Sequence, residues 1–139
     1  MTNLYIAYGS NMNLEQMAYR CPGAEVVGAG VVHGYRLAFN VHATIKPDEA
    51  CKVPVLVWKL SLGNEETLDC YEGYPSYYRK EYIDVDINGE TKRAMVYIMN
   101  SNAEHCPGDS YYQGIAKGYE AAGLDLQPLE EAYDRACNA

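Results

Sequence analysis

Apolar positions along the chain fall mostly in short strand-like runs, with helical spacing between them. Leu4, Ile6 and Tyr8 alternate with Tyr5 and Ala7, so both faces are apolar and the run predicts an interior strand. A Gly9-Ser10-Asn11 turn follows. Asn13 then stands where it can cap a helix, with Gln16 at the third helical position. Leu14, Met17, Ala18 and Cys21 recur at helical spacing until Cys21-Pro22-Gly23 stops the helix. From Glu25 to Phe39 the valines, Tyr35, Leu37 and Phe39 favour strands, and Gly28, Gly30 and Gly34 predict bulges or strong curvature. Residues 42–52 are largely polar and read as an exposed loop, whereas Val53 to Leu60 reads as a buried strand.

The second half continues the pattern. A short helix is expected over Gly63 to Tyr71, with Asn64 as a candidate cap and Leu68 and Tyr71 facing inward. Tyr77 to Ile87 and Thr91 to Met99 form a hairpin across Asn88-Gly89, the strongest short turn signal in the chain. After a loop, Ser110 can cap a helix from Tyr111 to Ala122 that ends at Gly123. Pro128 opens a last amphipathic helix with Leu129, Ala132, Tyr133 and Ala136 on its apolar face. Grouped strands with interspersed helices predict an α+β fold: a small mixed curved β-sheet or barrel with surrounding helices, as a single domain over residues 1–139.

Composition narrows the function classes. Fourteen Tyr stand against one Phe and one Trp, so many large side chains carry a hydroxyl that needs a partner when buried. A net charge of −8 with scattered basic residues argues against nucleic-acid binding. An anionic substrate would have to be held by local N–H groups against an unfavourable overall field. The five cysteines, at 21, 51, 70, 106 and 137, include no CxxC pair, and the odd count predicts reduced core thiols rather than a disulfide framework or a zinc site. No signal-like segment and no run of 18 apolar residues occurs, which predicts a soluble cytoplasmic protein without a membrane partner.

Two stretches can carry chemistry. The turn at Gly9 to Asn11, placed between a strand and a helix, exposes backbone N–H groups that suit an anion or a developing oxyanion, unless it merely reverses the chain. It lacks the pattern of a nucleotide-triphosphate loop, and His33, His42 and His105 lack metal-ligand spacing. Ser10 could be a nucleophile, but a hydrolase elbow has glycines where Tyr8 and Met12 stand. Further on, Glu72 sits where a helix should end, followed by Gly73. The negative end of the helix, the like charge of Asp69 one turn earlier and burial among Tyr71, Tyr74, Tyr77 and Tyr78 would all raise its pKa toward that of a general base. The alternative is a solvated Glu at a frayed end.

Together, Tyr8-Gly9-Ser10-Asn11 behind a strand and Leu68-Asp69-x-x-Glu72-Gly73 ahead of aromatics and another strand resemble the γ-glutamylcyclotransferase family, and within it the AIG2-like bacterial branch. The resemblance implies a small mixed β-barrel with helices around it. It implies that the loop of Tyr5, Ile6, Ala7, Tyr8, Gly9 and Ser10 holds the substrate through backbone groups, with Glu72 as the general base. A tyrosine after the last strand, Tyr111 or its neighbour Tyr112, would close on the site. The implied reaction closes a γ-glutamyl group into 5-oxoproline and releases an amine, with no cofactor and no metal. The turn sequence leans toward γ-glutamyl peptides or amides. The implied partner is a small γ-glutamyl compound, and a homodimer is allowed. The competing readings are a non-catalytic binding domain of the same fold and a hydrolase using Ser10.

Overall fold

A computed structural model describes residues 3–138; of the single domain expected over 1–139, residues 1, 2 and 139 lie outside the described residues. Among the described residues, five strands form the sheet: β1 (Leu4–Ala7), β2 (Glu25–Asn40), β3 (His42–Lys59), β4 (Tyr78–Ile87) and β5 (Glu90–Met99). They close into a barrel in the order β1-β3-β2-β4-β5. β1 runs antiparallel to β3 and meets β5 in parallel at Tyr5 and Met95, so the sheet is mixed. A single 3-10 turn (Ser10–Met12) and four helices surround it: α1 (Leu14–Arg20), α2 (Asn64–Glu72), α3 (Asp109–Ala121) and α4 (Gln127–Cys137). The fold is the α+β barrel that the patterning predicts. Ile6, Phe39, Val53 and Val57 are fully buried in its core, and each such side chain stabilises the fold by roughly 1.5–3 kcal/mol.

The long β2–β3 hairpin departs from expectation. Residues 42–52 belong to β3 rather than to a loop, with Ala43, Thr44 and Ile45 buried and paired with Phe39, Ala38 and Leu37. The polar residues that suggested a loop are satisfied sideways: Arg36 Nε lies 3.7 Å from Asp48 and Lys46 Nζ lies 3.5 Å from Glu104. The expected curvature is present. Register shifts fall at Gly28 and at Gly34, whose φ of 82° is open to glycine at little cost, while pairing runs unbroken through Gly30.

Helix boundaries follow local chemistry with some changes of role. The Asn13 side chain accepts from the N–H groups of Glu15 and Gln16, as expected of a cap. Met17 and Cys21 are buried, but Leu14 and Ala18 are exposed. Asn64 is not a cap: its side chain accepts from Ser61 N (2.7 Å) and donates to Pro22 O (3.3 Å), tying the start of α2 to the end of α1. Tyr71, expected to face inward, is 44% exposed. Gly73 ends α2 with φ 64°. Gly108, not Ser110, occupies the cap position of α3, two residues earlier than the side-chain signal suggested. Asn88 and Gly89 both take positive φ, as their tight hairpin requires.

The cysteines correct the expectation of reduced core thiols. Cys106 and Cys137 form a disulfide, because α4 packs back against the barrel and brings its last turn to the segment ahead of α3. Of the others, Cys21 is buried, Cys51 partly exposed and Cys70 exposed. No helix among the described residues is long and apolar enough to cross a membrane.

Candidate active site

A cavity of about 120 Å³ lies where the end of β1, the starts of β3 and β4, the end of α2 and the start of α3 meet. It is far smaller than the roughly 300–1,000 Å³ of drug-sized pockets and fits a group of amino-acid size. Its wall is built largely of tyrosines, which accounts for the lopsided aromatic composition: Tyr5, Tyr8, Tyr71, Tyr77, Tyr78, Tyr97 and Tyr111 all line it, with Glu72 among them.

The hydroxyl protons divide into spent and free. Tyr8 donates to Tyr97 O (2.5 Å), Tyr78 to Ala43 O (2.6 Å) and Tyr97 to Asp69 Oδ1 (2.6 Å). These three support the wall. Tyr111 Oη instead accepts from Ala43 N–H (2.9 Å), and Tyr5 Oη accepts from Asn11 Nδ2 (2.9 Å). Each therefore retains a proton for a ligand. Burial, reinforced by the nearby Glu72 charge, holds the Tyr5 and Tyr8 phenols far above their ordinary range, so both stay neutral.

Glu72 is partly buried at the end of α2, and no other side chain among the described residues hydrogen-bonds its carboxyl. Burial raises its pKa to about 7, and the charge of Arg20 pulls the other way. The like charge of Asp69, expected to contribute, does not. Lys80 Nζ lies 2.9 Å from Asp69 Oδ1, which neutralises it, and Asp69 also accepts from Tyr97. Glu72 thus changes charge close to neutral pH, as a group that takes and returns protons must.

The turn forms the opposite wall. Gly9, Ser10 and Asn11 border the cavity, and the N–H groups of Ser10 and Asn11 have no backbone acceptor among the described residues. A Cβ on Gly9 would come 3.1 Å from Ala43 Cβ and 3.7 Å from Tyr111 Oη, so close approach accounts for this glycine. Ser10 Oγ lies 3.2 Å from both Tyr71 Oη and Arg20 Nη1, and no histidine among the described residues hydrogen-bonds it. It has no base.

Of the residues predicted from sequence, Tyr5, Tyr8, Gly9, Ser10, Glu72 and Tyr111 are brought together around the cavity. Ile6 and Ala7 are buried and do not line it. Tyr112 points elsewhere, packing on Phe39 and Tyr133, so Tyr111 is the tyrosine of the pair that meets the site. Sequence reasoning missed Arg20 and His42, and of Asn11 it saw the backbone but not the side chain, which bonds Tyr5. His42 begins β3 at the cavity rim, with Nδ1 3.0 Å from Tyr77 Oη. It lay within the segment read as a loop, which hid it.

A family model described as Gamma-glutamyl cyclotransferase, AIG2-like, matches residues 5–116. Gamma-glutamylcyclotransferase from Homo sapiens is 26% identical over 145 residues, covering 92% of this chain and 76% of its own. The Mus musculus protein of the same name is 26% identical over 147 residues, covering 94% and 77%. A solved structure titled Gamma-glutamyl cyclotransferase superposes with a TM-score of 0.85 at 26% identity, over 95% of this chain and 86% of that one. YkqA from Bacillus subtilis gives 0.81 at 22% identity over 99% of this chain and 55% of its own, a likeness of fold alone.

Proposed function

The chain belongs to the γ-glutamyl cyclotransferase, AIG2-like family, and from that premise we propose that it closes the γ-glutamyl group of a small substrate into 5-oxoproline and releases an amine or amino acid. The observation that carries the reading is Glu72, a carboxyl raised to about 7 by burial within a cavity of about 120 Å³.

In the proposed reaction the α-amine nitrogen attacks its own γ-carbonyl carbon and forms the lactam C–N bond. Glu72 takes a proton from that nitrogen. The oxyanion that develops is met by the free N–H groups of the turn and by the unspent hydroxyl protons of Tyr5 and Tyr111. As the bond to the leaving nitrogen breaks, Glu72 returns the proton to it, so no water is consumed. Both reacting atoms belong to one molecule, and well-oriented intramolecular attack reaches effective concentrations of ~10⁵ M or more. Holding the substrate folded is therefore a large part of the task, and a small cavity suits it.

The same reading places the reaction in the cytoplasm, without a cofactor, in a monomer or a homodimer. Incubation with a panel of γ-glutamyl peptides and amides, with products identified by mass spectrometry, tests it. The expected product is 5-oxoproline, with none of its oxygen drawn from ¹⁸O-labelled water. Labelled glutamate would instead mean hydrolysis. Saturable binding of the panel without any product would mean a non-catalytic domain.

A further inference from the structure

Arg20 ends α1, where a cation complements the helix dipole, but its side chain does more than that. Its Nη1 donates to Ser10 Oγ (3.2 Å) and to Asn11 Oδ1, two residues of the turn. Its guanidinium carbon sits 3.7 Å from the ring centroid of Tyr71, the residue beside Glu72 on α2. Tyr71 Oη reaches back to Ser10 Oγ, and Asn11 passes its own amide to Tyr5 Oη. One planar cation thus touches both walls of the cavity. Among the described ion pairs, moreover, Arg20 and Arg135 have no carboxylate partner, whereas Arg36 has two and Arg79 and Arg93 have one each.

We propose that Arg20 is a positioning residue that locks the substrate-holding turn to the end of helix α2, so that one guanidinium sets the spacing of the turn and Glu72. Among the described residues the disulfide lies elsewhere, at Cys106–Cys137, and the turn's covalent neighbours are β1 and α1. The hydrogen bonds to Ser10 and Asn11 fix its side chains from behind, and stacking on Tyr71 fixes the guanidinium itself. Two separate properties of arginine are in use: the charge, which acts on Glu72 through space, and the planar fork, which acts on the turn by contact. The proposal rests on the cyclotransferase reading for what the lock achieves, but the lock itself is a property of the folded protein.

The charge acts in a setting where its effect is readable. Tyr5 of β1 and Tyr8 just after it face Glu72, as do Tyr77 just ahead of β4, Tyr78 at its start and Tyr111 of α3; all five phenols are held above their ordinary range and stay neutral. The remaining ionisable side chains lining the cavity are Tyr71 of α2, Tyr97 of β5, whose phenol burial and Asp69 also hold above its ordinary range, and His42 of β3.

The test separates charge from fork without needing turnover. The Glu72 carboxyl is titrated by NMR in protein labelled at the glutamate side-chain carbons, its signal assigned by loss in Glu72→Gln. Hydrogen exchange of the Met12 and Asn13 amides, which bond Gly9 O and Ser10 O at 3.0 and 3.1 Å, reports the turn. In Arg20→Gln the midpoint of Glu72 should rise by about one pH unit, and both amides should exchange about tenfold faster. In Arg20→Lys, which keeps the charge and loses the fork, the midpoint should stay while exchange still quickens. Tyr71→Leu, which removes the stacking shelf, should quicken exchange with Arg20 intact, and it serves if Arg20→Gln does not fold. An unmoved midpoint in Arg20→Gln, or slow amides in Arg20→Lys or Tyr71→Leu, would overturn the proposal. Failure to form 5-oxoproline would instead strike only the cyclotransferase reading, because neither measurement uses substrate.

Discussion

Glu72 sits at the end of a helix, partly out of water, and no side chain among the described residues offers its carboxyl a hydrogen bond, a placement that costs stability whenever it ionises. Its folded pKa of about 7 lies above the ordinary 4.5, so the folded state holds a proton that the unfolded state has released between those values. The stability linked to this proton is fully present below about pH 4.5 and is lost as pH rises through about 7. Glu72→Gln should therefore be more stable than the parent at pH 8 by ~2 kcal/mol and close to it at pH 4.5, measured by denaturant unfolding. The same variant should lose ~10² or more in turnover, and the parent's rate should climb with pH through about 7. A variant that is neither stabilised at pH 8 nor slowed would remove Glu72 from the mechanism. Asp69 is a different case. The like charge visible in the sequence is cancelled by Lys80, a strand residue that no local pattern links to it. Asp69→Asn should leave the midpoint of the pH–rate profile unmoved and instead lower stability by ~1 kcal/mol or more, because Lys80 loses one of its two carboxylate partners and Tyr97 exchanges a charged acceptor for a neutral one. A shifted midpoint would restore the electrostatic role that the sequence suggested.

At the scale of elements, what could be read from sequence was what local chemistry decides. Asn13 as a cap, Gly73 as a helix stop and Asn88-Gly89 as a hairpin turn depend on neighbours a few residues away. The first half of β3 was hidden because its polar face is satisfied by Arg36 and Glu104, distant in sequence. The docking of α3 was equally silent, although its cause is visible in two glycines once the fold is known. A Cβ on Gly118 would lie 2.7 Å from the Met12 carbonyl carbon, and Asn13 Nδ2 donates to Gly114 O at 3.2 Å. The helix bearing Tyr111 is thus seated directly on the back of the turn. Gly118→Val should push α3 outward, costing ~1–3 kcal/mol in stability and raising KM for the γ-glutamyl substrate more than it lowers kcat. Gly114→Ala meets only the end of the Gln16 side chain, at 3.0 Å, and should be far milder in both. Equal effects from the two would mean that α3 is not held by this approach.

Across the whole molecule, the site joins segments from both ends of the chain, and the sequence revealed its two poles but not the bridge between them. Tyr8 to Asn11 and Glu72 stood out through turn chemistry and an awkward carboxylate, whereas Arg20 looked like an ordinary basic residue at a helix end. The Cys106–Cys137 bond was missed for a similar reason, since pairing depends on where α4 lands and not on spacing. Net charge was legible from the start, and it has a consequence for the reaction proposed. A γ-glutamyl peptide with two carboxylates and one ammonium carries a net negative charge near neutral pH, and it must approach a protein of charge −8. The long-range field opposes that encounter, while the contacts inside the cavity are short and little screened. Raising ionic strength from about 10 mM to about 150 mM shortens the screening length from ~30 Å to ~8 Å, so kcat/KM should rise, by roughly twofold to fivefold, with kcat nearly constant. A γ-glutamyl amide of zero net charge should show almost no such rise. If kcat/KM for the anionic peptide fell with salt, the Arg20 cation behind the turn would outweigh the −8 of the whole chain in guiding substrate, and the account of an anion held against its field would have to be abandoned.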